Sequence, residues 1–310
     1  MLVTFFENMF YRPMWRHRAV ASVLLPLSLS YGLIMMIRRR VAKRRDFGIP
    51  IVSVGNLLVG GSGKTPMTIA LARRFEKPAV VLRGYGRKSA GLIVISEWGE
   101  TKTDVQTAGD EATLLARSVP HATVIVSENR VKAIEKAKEM GAKVVFLDDG
   151  FGKVAIEKFE MLLYPAKIPN PLPLPSGPFR EFWFEERYAD LILIENEDFR
   201  RIVTCEGCDA PMLLVTAIAN PQRLEPFLPE KLVKGRLILP DHAWFDKKEI
   251  EEEMKKYGVE KILTTEKDAA KLEKFGFDTA LLKLELQIDE KHLHAMERYL
   301  SSFEYRYDFP

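Results

Sequence analysis

Cysteine is scarce in this chain of 310 residues, which contains only Cys205 and Cys208. Because a tetrahedral structural zinc site needs four ligands, a lone C-x-x-C pair excludes a four-cysteine zinc ribbon. A redox pair and a local disulfide both stay open, and we interpret the two residues as incidental parts of a connecting loop. A cysteine content this low is typical of proteins of the reducing cytoplasm.

Acidic residues are nearly missing from the first 45 positions. Nine Lys and Arg residues stand there against Glu7 alone, which gives this segment a net charge of +8. The remaining residues carry −5, because the whole chain carries +3. This asymmetry predicts that the N-terminal end meets something anionic.

Charged residues are absent from 19–37, AVASVLLPLSLSYGLIMMI. As a helix this run covers about 28 Å, close to the ~30 Å core of a bilayer. No small-residue cleavage site follows a short apolar core, so we expect no cleaved signal peptide. A helix on the membrane surface, a membrane span and a helix buried against the protein are the three interpretations. We favour the surface helix, and we expect Pro26 to break or kink it.

Beyond residue 45, short apolar runs alternate with helical stretches. Strands are predicted at 50–54, 79–83, 92–96, 122–126, 143–148, 161–164 and 191–195, and helices at 64–75, 110–117 and 129–140. Nearly continuous apolar strands separated by helices favour a parallel sheet that is covered on both faces. Six prolines in 165–180 predict an extended, ordered loop. After a linker near 205–211, we predict strands at 212–217, 232–239, 261–265 and 280–286, and helices at 247–256, 267–275 and 289–302.

A glycine-rich loop, VGGSGKTP at 59–66, lies between the first strand and the first helix of this series. Glycines let backbone N–H groups converge on a phosphate, a lysine reaches the β- and γ-phosphates, and a threonine hydroxyl binds Mg²⁺. The N-terminus of the helix adds positive potential. The predicted nucleotide-binding residues are Leu58, Val59, Gly60, Gly61, Ser62, Gly63, Lys64 and Thr65. Leu58 stands where the usual motif has its first glycine.

An acidic pair ends an apolar strand in VVFLDDG, residues 144–150. Carboxylates at such a position hold Mg²⁺ directly or through water. We therefore predict Thr65, Asp148 and Asp149 as metal ligands. No clear guanine-reading N-K-x-D occurs, and TEKD at 265–268 resembles it only loosely, so ATP is favoured over GTP. A P-loop GTPase or metallochaperone-like switch protein acting on a protein partner, and a membrane-associated assembly protein with a vestigial site, are the alternatives.

Seven short pieces of the chain, in this order, resemble the tetraacyldisaccharide 4′-kinase family, the lipid A 4′-kinases. They are SVGNLLVGGSGKTP, RGYGRK, AGDE, DDGF, LPSGPFRE, PDHAWF and TEKDAAKL. The resemblance implies transfer of the γ-phosphate of ATP, with Mg²⁺, to the 4′-hydroxyl of a tetraacylated glucosamine disaccharide 1-phosphate. It also implies work at the cytoplasmic face of the inner membrane. The expected partners are an acylated disaccharide lipid and an anionic membrane surface, with no nucleic acid and no protein partner evident.

The resemblance also suggests roles for individual residues. Asp110 is the candidate base that accepts the proton of the acceptor hydroxyl, and a helix N-cap is its structural alternative. His242 is expected to orient or tune Asp110, while Lys64 steadies the phosphates. The acceptor's 1-phosphate or sugars are expected to meet Arg83, Tyr85, Arg87 and Arg180, because arginine binds phosphate through its forked donors. The chain departs from the family at Gly152 and Lys153, where Gln-His is usual.

These features together predict an α/β fold. Its core is a P-loop NTPase-type parallel sheet, joined by a second, smaller α/β domain and an N-terminal membrane-associated helix. The predicted divisions are 1–45 for the hydrophobic and basic segment, 46–205 for the P-loop kinase core and 206–310 for the C-terminal domain.

Overall fold

The computed structural model describes residues 2–168, 170–218 and 220–303. These residues form two compact units, each built from separated stretches of chain. Unit 1 takes its described residues from Met1–Lys64, Lys143–Arg200 and Ile288–Pro310, and unit 2 from Thr65–Ala142 and Arg201–Gln287. The three-part division predicted from the sequence stays a prediction.

The α-helices of the described chain include two that precede the first strand. In chain order they are α1 (Leu2–Tyr11), α2 (Trp15–Val41), α3 (Lys64–Ala72), α4 (Val105–Ala108), α5 (Asp110–Ser118), α6 (Arg130–Glu139), α7 (Lys247–Tyr257), α8 (Glu266–Leu272) and α9 (His294–Ser301). Short 3-10 helices lie at Trp183–Tyr188, Pro221–Phe227, Glu273–Phe275 and Glu290–His292.

Apart from the strands at Glu100–Thr101 and Phe199–Glu206, the strands follow the apolar runs of the sequence. In chain order they are β1 (Ile51–Gly55), β2 (Pro78–Leu82), β3 (Ile93–Glu97), β4 (Glu100–Thr101), β5 (Thr123–Val126), β6 (Val144–Asp148), β7 (Phe159–Tyr164), β8 (Leu191–Ile194), β9 (Phe199–Glu206), β10 (Met212–Thr216), β11 (Val233–Ile238), β12 (Lys261–Thr265) and β13 (Asp278–Ile288).

The sheet of unit 1 runs in the order β6-β1-β7-β8, with every neighbouring pair parallel. All residues of β1, β6 and β7 are buried, which is why their sequences are mostly apolar and do not alternate with polar residues. Helix α9 covers this sheet: the Ile51 N–H donates to the Tyr299 hydroxyl at 3.2 Å, and the Phe159 and Tyr299 rings lie 5.5 Å apart. The described residues of 165–180 contain neither a helix nor a named strand, as predicted.

Helix α2 is continuous from Trp15 to Val41, so Pro26 does not break it; the alternative prediction, a kink at Pro26, stays a prediction. One side of the helix packs on unit 1, where the Ser28 and Ser176 hydroxyls are 2.7 Å apart and a Cβ at Gly32 would collide with the Phe182 ring. Tertiary packing of that side outweighs the cost of the proline. The helix is long and apolar enough to cross a membrane, by length and composition.

Unit 2 contains two groups of strands. In the first, ordered β4-β3-β5-β2, strands β2 and β5 are parallel, but β3 is antiparallel to β5, unlike the wholly parallel arrangement that the pattern favoured. The second is a five-stranded sheet in the order β11-β10-β12-β13-β9. Strand β9 was not predicted, and it includes Cys205, which forms a disulfide with Cys208 beside an apolar cluster. Cys205 therefore belongs to a sheet strand rather than to a linker.

Candidate functional site

The glycine-rich loop leaves β1 and is fixed at its start by the proline-rich segment. The Val59 N–H donates to the Pro178 carbonyl at 2.9 Å, and Leu58 forms a bridge with Phe179. The loop then turns through positive φ angles of 103° at Gly60 and 86° at Gly63. Only glycine adopts this conformation without strain. The loop thus ends at the first residue of α3 with its backbone in the turned form that the motif requires.

Lys64 lies at the end of this loop among polar groups of unit 1. Its Nζ donates to Asn56 Oδ1 at 3.2 Å and is 3.6 Å from Asp149 Oδ1. Asp149 also accepts from Arg180, whose Nη1 is 2.8 and 2.9 Å from its two carboxylate oxygens. The structure thus brings together three predicted site residues that are far apart in sequence. Asn56 belongs to the same group and was not predicted.

The acidic pair is placed by the pairing of β6 with β1. Asp148 is the last residue of β6, stands opposite Val54 and is buried. Asp149 follows with a positive φ of 57°, a conformation that aspartate tolerates better than most residues. Carboxylates and the Thr65 hydroxyl suit Mg²⁺, which prefers oxygen ligands and needs few from the protein. Among the described residues no cluster of three or more His, Cys, Asp or Glu forms a denser metal site.

Asp110 occupies the first turn of α5 in unit 2, directly after Gly109. The glycine has a φ of 85°, and a Cβ there would lie 3.0 Å from the Tyr85 carbonyl oxygen. His242 faces the carboxylate: its Nδ1 is 3.0 Å from both oxygens of Asp110. The predicted pairing of these residues is therefore present, although 132 positions separate them.

Two lysines of α8 complete the surroundings of Asp110. The Lys271 Nζ is 2.8 Å and the Lys267 Nζ 3.9 Å from Asp110 Oδ2. Neither lysine was predicted as a site residue, although both lie within TEKDAAKL. The available signal was their spacing, because residues four apart on a helix share a face.

The surroundings of Asp110 and His242 shift both of their pKa values. Burial alone would raise the pKa of Asp110, but the hydrogen bond to His242 and the ammonium groups of Lys267 and Lys271 outweigh it and hold that pKa well below the ordinary range. The hydrogen bond with Asp110 raises the pKa of His242, against the opposing effect of burial. Asp110 is consequently ionised at neutral pH. Its side chain is only 1% exposed, whereas that of His242 is 24% exposed.

The four residues predicted to bind the acceptor lie in different surroundings. Arg83 donates to the Tyr85 hydroxyl at 3.2 Å, on an exposed part of unit 2. Arg87 is turned inward, bonded to Glu128 and to the Gly91 carbonyl. Arg180 belongs instead to the Lys64 group in unit 1.

The positions where the chain departs from the family pattern act through their backbone. Arg38 donates to the Gly152 carbonyl at 2.5 Å, and Lys158 donates to the Lys153 carbonyl at 3.0 Å. A main-chain carbonyl is supplied by any residue, so these contacts do not depend on the Gln-His pair that the pattern usually has.

Known proteins resemble this chain over nearly its whole length. A family model described as LpxK, tetraacyldisaccharide-1-P 4′-kinase, matches residues 20–301. The tetraacyldisaccharide 4′-kinase of Aliarcobacter butzleri is 44% identical over 306 residues, covering 96% of this chain and 97% of the relative. That of Helicobacter pylori (strain HPAG1) is 45% identical over 301 residues, covering 96% of each. A crystal structure of an "apo" form of LpxK from Aquifex aeolicus in complex with ATP has a TM-score of 0.77 and 25% identity, covering 92% of this chain and 100% of that one.

Proposed function

This chain belongs to the tetraacyldisaccharide-1-P 4′-kinase family, and we propose that it transfers the γ-phosphate of ATP to the 4′-hydroxyl of a tetraacylated glucosamine disaccharide 1-phosphate. The family resemblance inferred from the sequence is confirmed by the whole-length matches. The LpxK structure in complex with ATP supports ATP as the phosphate donor.

The observation that carries the proposal is the position of the Lys64 ammonium group. Its ammonium lies at the end of a glycine loop with positive φ at Gly60 and Gly63, beside a carboxylate that follows a sheet strand. Phosphoryl transfer needs positioning and charge stabilisation more than covalent chemistry from the protein. A loop of converging amides with one lysine at the helix start supplies both for a triphosphate.

Mg²⁺ fits the acidic end of β6, where Asp148, Asp149 and Thr65 would hold it. When bound, it would neutralise charge on the phosphate oxygens. Lys64 and Arg180 balance the charge of Asp149. We propose that Lys64 exchanges this carboxylate for a phosphate oxygen when nucleotide binds. Arg180 then retains Asp149 in place through its two hydrogen bonds.

We propose that Asp110, with His242, accepts the proton of the acceptor hydroxyl. A low pKa makes Asp110 a weak base but keeps it ionised, which suits a loose transition state in which the proton is transferred late. Its carboxylate is covered by its partners, so His242 is the member of the pair that faces solvent. We assign His242 the role of orienting the carboxylate and stabilising its charge.

We propose that Arg83, Tyr85, Arg87 and Arg180 contribute to acceptor binding. Tyr85 is about half exposed and stacked with Arg83, whose guanidinium carbon is 5.1 Å from the ring centroid. An aromatic surface beside a guanidinium suits a sugar ring that carries a phosphate. Arg87 is better suited to shaping this surface, because its guanidinium is already engaged by Glu128.

We propose that α2 attaches the protein to the cytoplasmic face of the inner membrane. Large apolar side chains on the side of α2 away from unit 1 are exposed, among them Val23, Leu27, Ile34 and Val41. The opposite side of α2 packs against the rest of unit 1. This favours a helix that lies at the membrane–water interface over one that is surrounded by lipid. Basic residues at both ends of the helix suit an anionic headgroup layer.

The proposed function is tested by incubating the protein with γ-labelled ATP, Mg²⁺ and the tetraacylated disaccharide 1-phosphate. We expect label in the lipid, and none when a 4′-deoxy acceptor replaces it. Excess unlabelled ATP should suppress the labelling and excess GTP should not. Release of label only as inorganic phosphate, with GTP as the better competitor, would instead support a switch protein that acts on another protein.

A further inference from the structure

The ammonium group of Lys271 lies inside unit 2 between two carboxylates. Its Nζ is 2.8 Å from Asp110 Oδ2 and 3.7 Å from Asp268 Oδ1, and it donates to the Ala243 carbonyl at 3.3 Å. The side chain is only 2% exposed. Because a buried charge is costly unless it is paired, the position of this lysine is explained by the two acids that it joins.

Asp268 is fixed by the ends of two strands. Its Oδ2 accepts hydrogen bonds from the Thr216 hydroxyl at 2.8 Å, the Ala217 N–H at 2.9 Å and the Thr265 hydroxyl at 3.1 Å. Thr216 and Thr265 are the last residues of β10 and β12. A carboxylate held by three donors has little freedom to move, so it anchors the ammonium of Lys271, which in turn contacts Asp110.

Lys267 contacts Asp110 from the same helix but more weakly. Its Nζ is 3.9 Å from Asp110 Oδ2, and it also lies 3.3 Å from Asp241 and 3.8 Å from Glu111. The side chain is 18% exposed. The Lys267 ammonium is thus shared among three carboxylates and partly exposed to water, whereas that of Lys271 is buried in closer contact with Asp110.

The charged groups that face Asp110 and His242 come from three parts of unit 2. Lys267 and Lys271 face Asp110 from α8, while Glu111 follows it on α5 and contacts Lys267. Asp241 precedes His242, with its carboxylate 3.5 Å from the imidazole Nε2. Among these groups, Lys271 is the cation in closest contact with Asp110, and it is almost fully buried.

We propose that Lys271 is a positioning residue: it holds the Asp110 carboxylate ionised and turned toward His242. Asp268 in turn holds the ammonium group of Lys271 in place. The inference rests on the proposed function, in which Asp110 with His242 accepts the proton of the acceptor. Lys271 does not touch the acceptor and acts through Asp110. The Asp268–Lys271–Asp110 chain thereby ties the end of a sheet to the first turn of α5.

The direct test measures the titration of His242 by histidine NMR in Lys271→Met, with His242→Gln assigning the signal. Loss of a neighbouring cation favours the imidazolium form, so we expect the His242 pKa to rise by about half a unit or more. Lys267→Met should also raise it, because the Lys267 ammonium lowers the His242 pKa, and Lys248→Met, on the exposed side of α7, should leave it unchanged. If Lys271→Met does not fold, the His242 titration is measured instead in Lys271→Gln, which keeps a hydrogen-bond donor but carries no charge.

A kinetic test asks whether Lys271 acts through Asp110. We expect Lys271→Met to lower kcat by about 10- to 100-fold with little change in the KM for ATP, and Lys271→Arg to restore part of the loss. In an Asp110→Asn background, Lys271→Met should cause little further loss. An unmoved His242 titration, or an equal loss in both backgrounds, would overturn the proposal.

The two kinds of failure are separable. His242 titration requires neither ATP nor the lipid acceptor, so it reports on Lys271 even if the wild-type protein phosphorylates nothing. Conversely, a wild-type protein that labels the acceptor while the His242 pKa is the same in Lys271→Met and wild type supports the kinase and rejects the role of Lys271.

Discussion

The hydroxyl of Tyr11, at the end of α1, donates a hydrogen bond to the carbonyl oxygen of Val59 in the glycine loop. The Val59 side chain packs on the apolar cluster formed by Met9, Phe10 and Ala21. The N-terminal helix pair therefore touches the phosphate loop through both a polar and an apolar contact. A charged side chain at position 59 would not suit that apolar cluster.

Removal of the Tyr11 hydroxyl is expected to loosen the phosphate loop. A neutral hydrogen bond contributes about 1 kcal/mol, so Tyr11→Phe should weaken ATP binding by about fivefold with unchanged acceptor KM. Isothermal calorimetry with a non-hydrolysable ATP analogue measures the change. Tyr257→Phe, a partly exposed residue of unit 2, is the matched control, and equal affinities for wild type and Tyr11→Phe would contradict the expectation.

Loss of the Lys64 ammonium should lower activity far more than loss of Asn56, the residue that accepts its hydrogen bond. Because the charge stabilises the transferred phosphate, Lys64→Ala should lower kcat/KM by about 10²- to 10³-fold. Asn56→Ala removes only a hydrogen bond that orients the lysine, and a loss of about tenfold or less is expected. Lys248→Ala is the control for charge. Similar activity in Lys64→Ala and wild type would exclude the lysine from the phosphate site.

The pairing of His242 with Asp110 predicts a dependence of stability on pH. The folded pKa of His242 is raised by the hydrogen bond to Asp110, so its contribution to stability is fully present below the unfolded pKa of about 6.5 and is lost as pH rises through the folded value. The Tm difference between wild type and His242→Gln should therefore be largest at about pH 6 and shrink above it. His121→Gln, at an exposed position, is the control substitution. A Tm difference that grows with pH would contradict this assignment.

The exposed side of α2 is expected to carry membrane attachment. A charge placed at the hydrocarbon boundary is unfavourable by about 1–3 kcal/mol, so Val23→Glu with Ile34→Glu should reduce sedimentation with anionic vesicles by about tenfold or more. The matched control is Ile202→Glu with Ile238→Glu, two exposed apolar residues of unit 2. Phosphate transfer to a detergent-dispersed acceptor should persist in both variants. Undiminished vesicle binding of the α2 variant would reject this attachment.

Local signals were sufficient to predict the phosphate loop and its flanking elements. Apolar β-branched runs, glycines and a helix start are encoded within about ten residues of one another, and β1, α3 and β6 lie close to their predicted bounds. Strand β9 was missed because arginines and alternating burial obscure its pattern. A break or a kink was expected at Pro26, and the continuity of α2 could not be predicted because its packing partners Ser176 and Phe182 lie in a distant part of the chain.

The surroundings of Asp110 depended on contacts that no short pattern contains. Its pairing with His242 was expected only from the family resemblance, and the two α8 lysines were not recognised at all. Their importance arises from burial beside one carboxylate, and burial is a property of the folded chain rather than of any segment. Spacing alone does not distinguish a buried Lys271 from the many solvated lysines of surface helices.

Helix α9 lies against the strand that leads into the phosphate loop, and the two residues joined by the Ile51–Tyr299 hydrogen bond are 248 positions apart. A ribosome adds about 5–20 residues each second. Tens of seconds therefore pass between the synthesis of β1 and that of α9, which packs against it. The neighbouring strands β6 and β7 are also made well after β1. We expect nascent chains halted before α9 to be cleaved by protease near β1, whereas chains that include α9 resist it, so that the strand leading into the nucleotide site is covered only after α9 has been made.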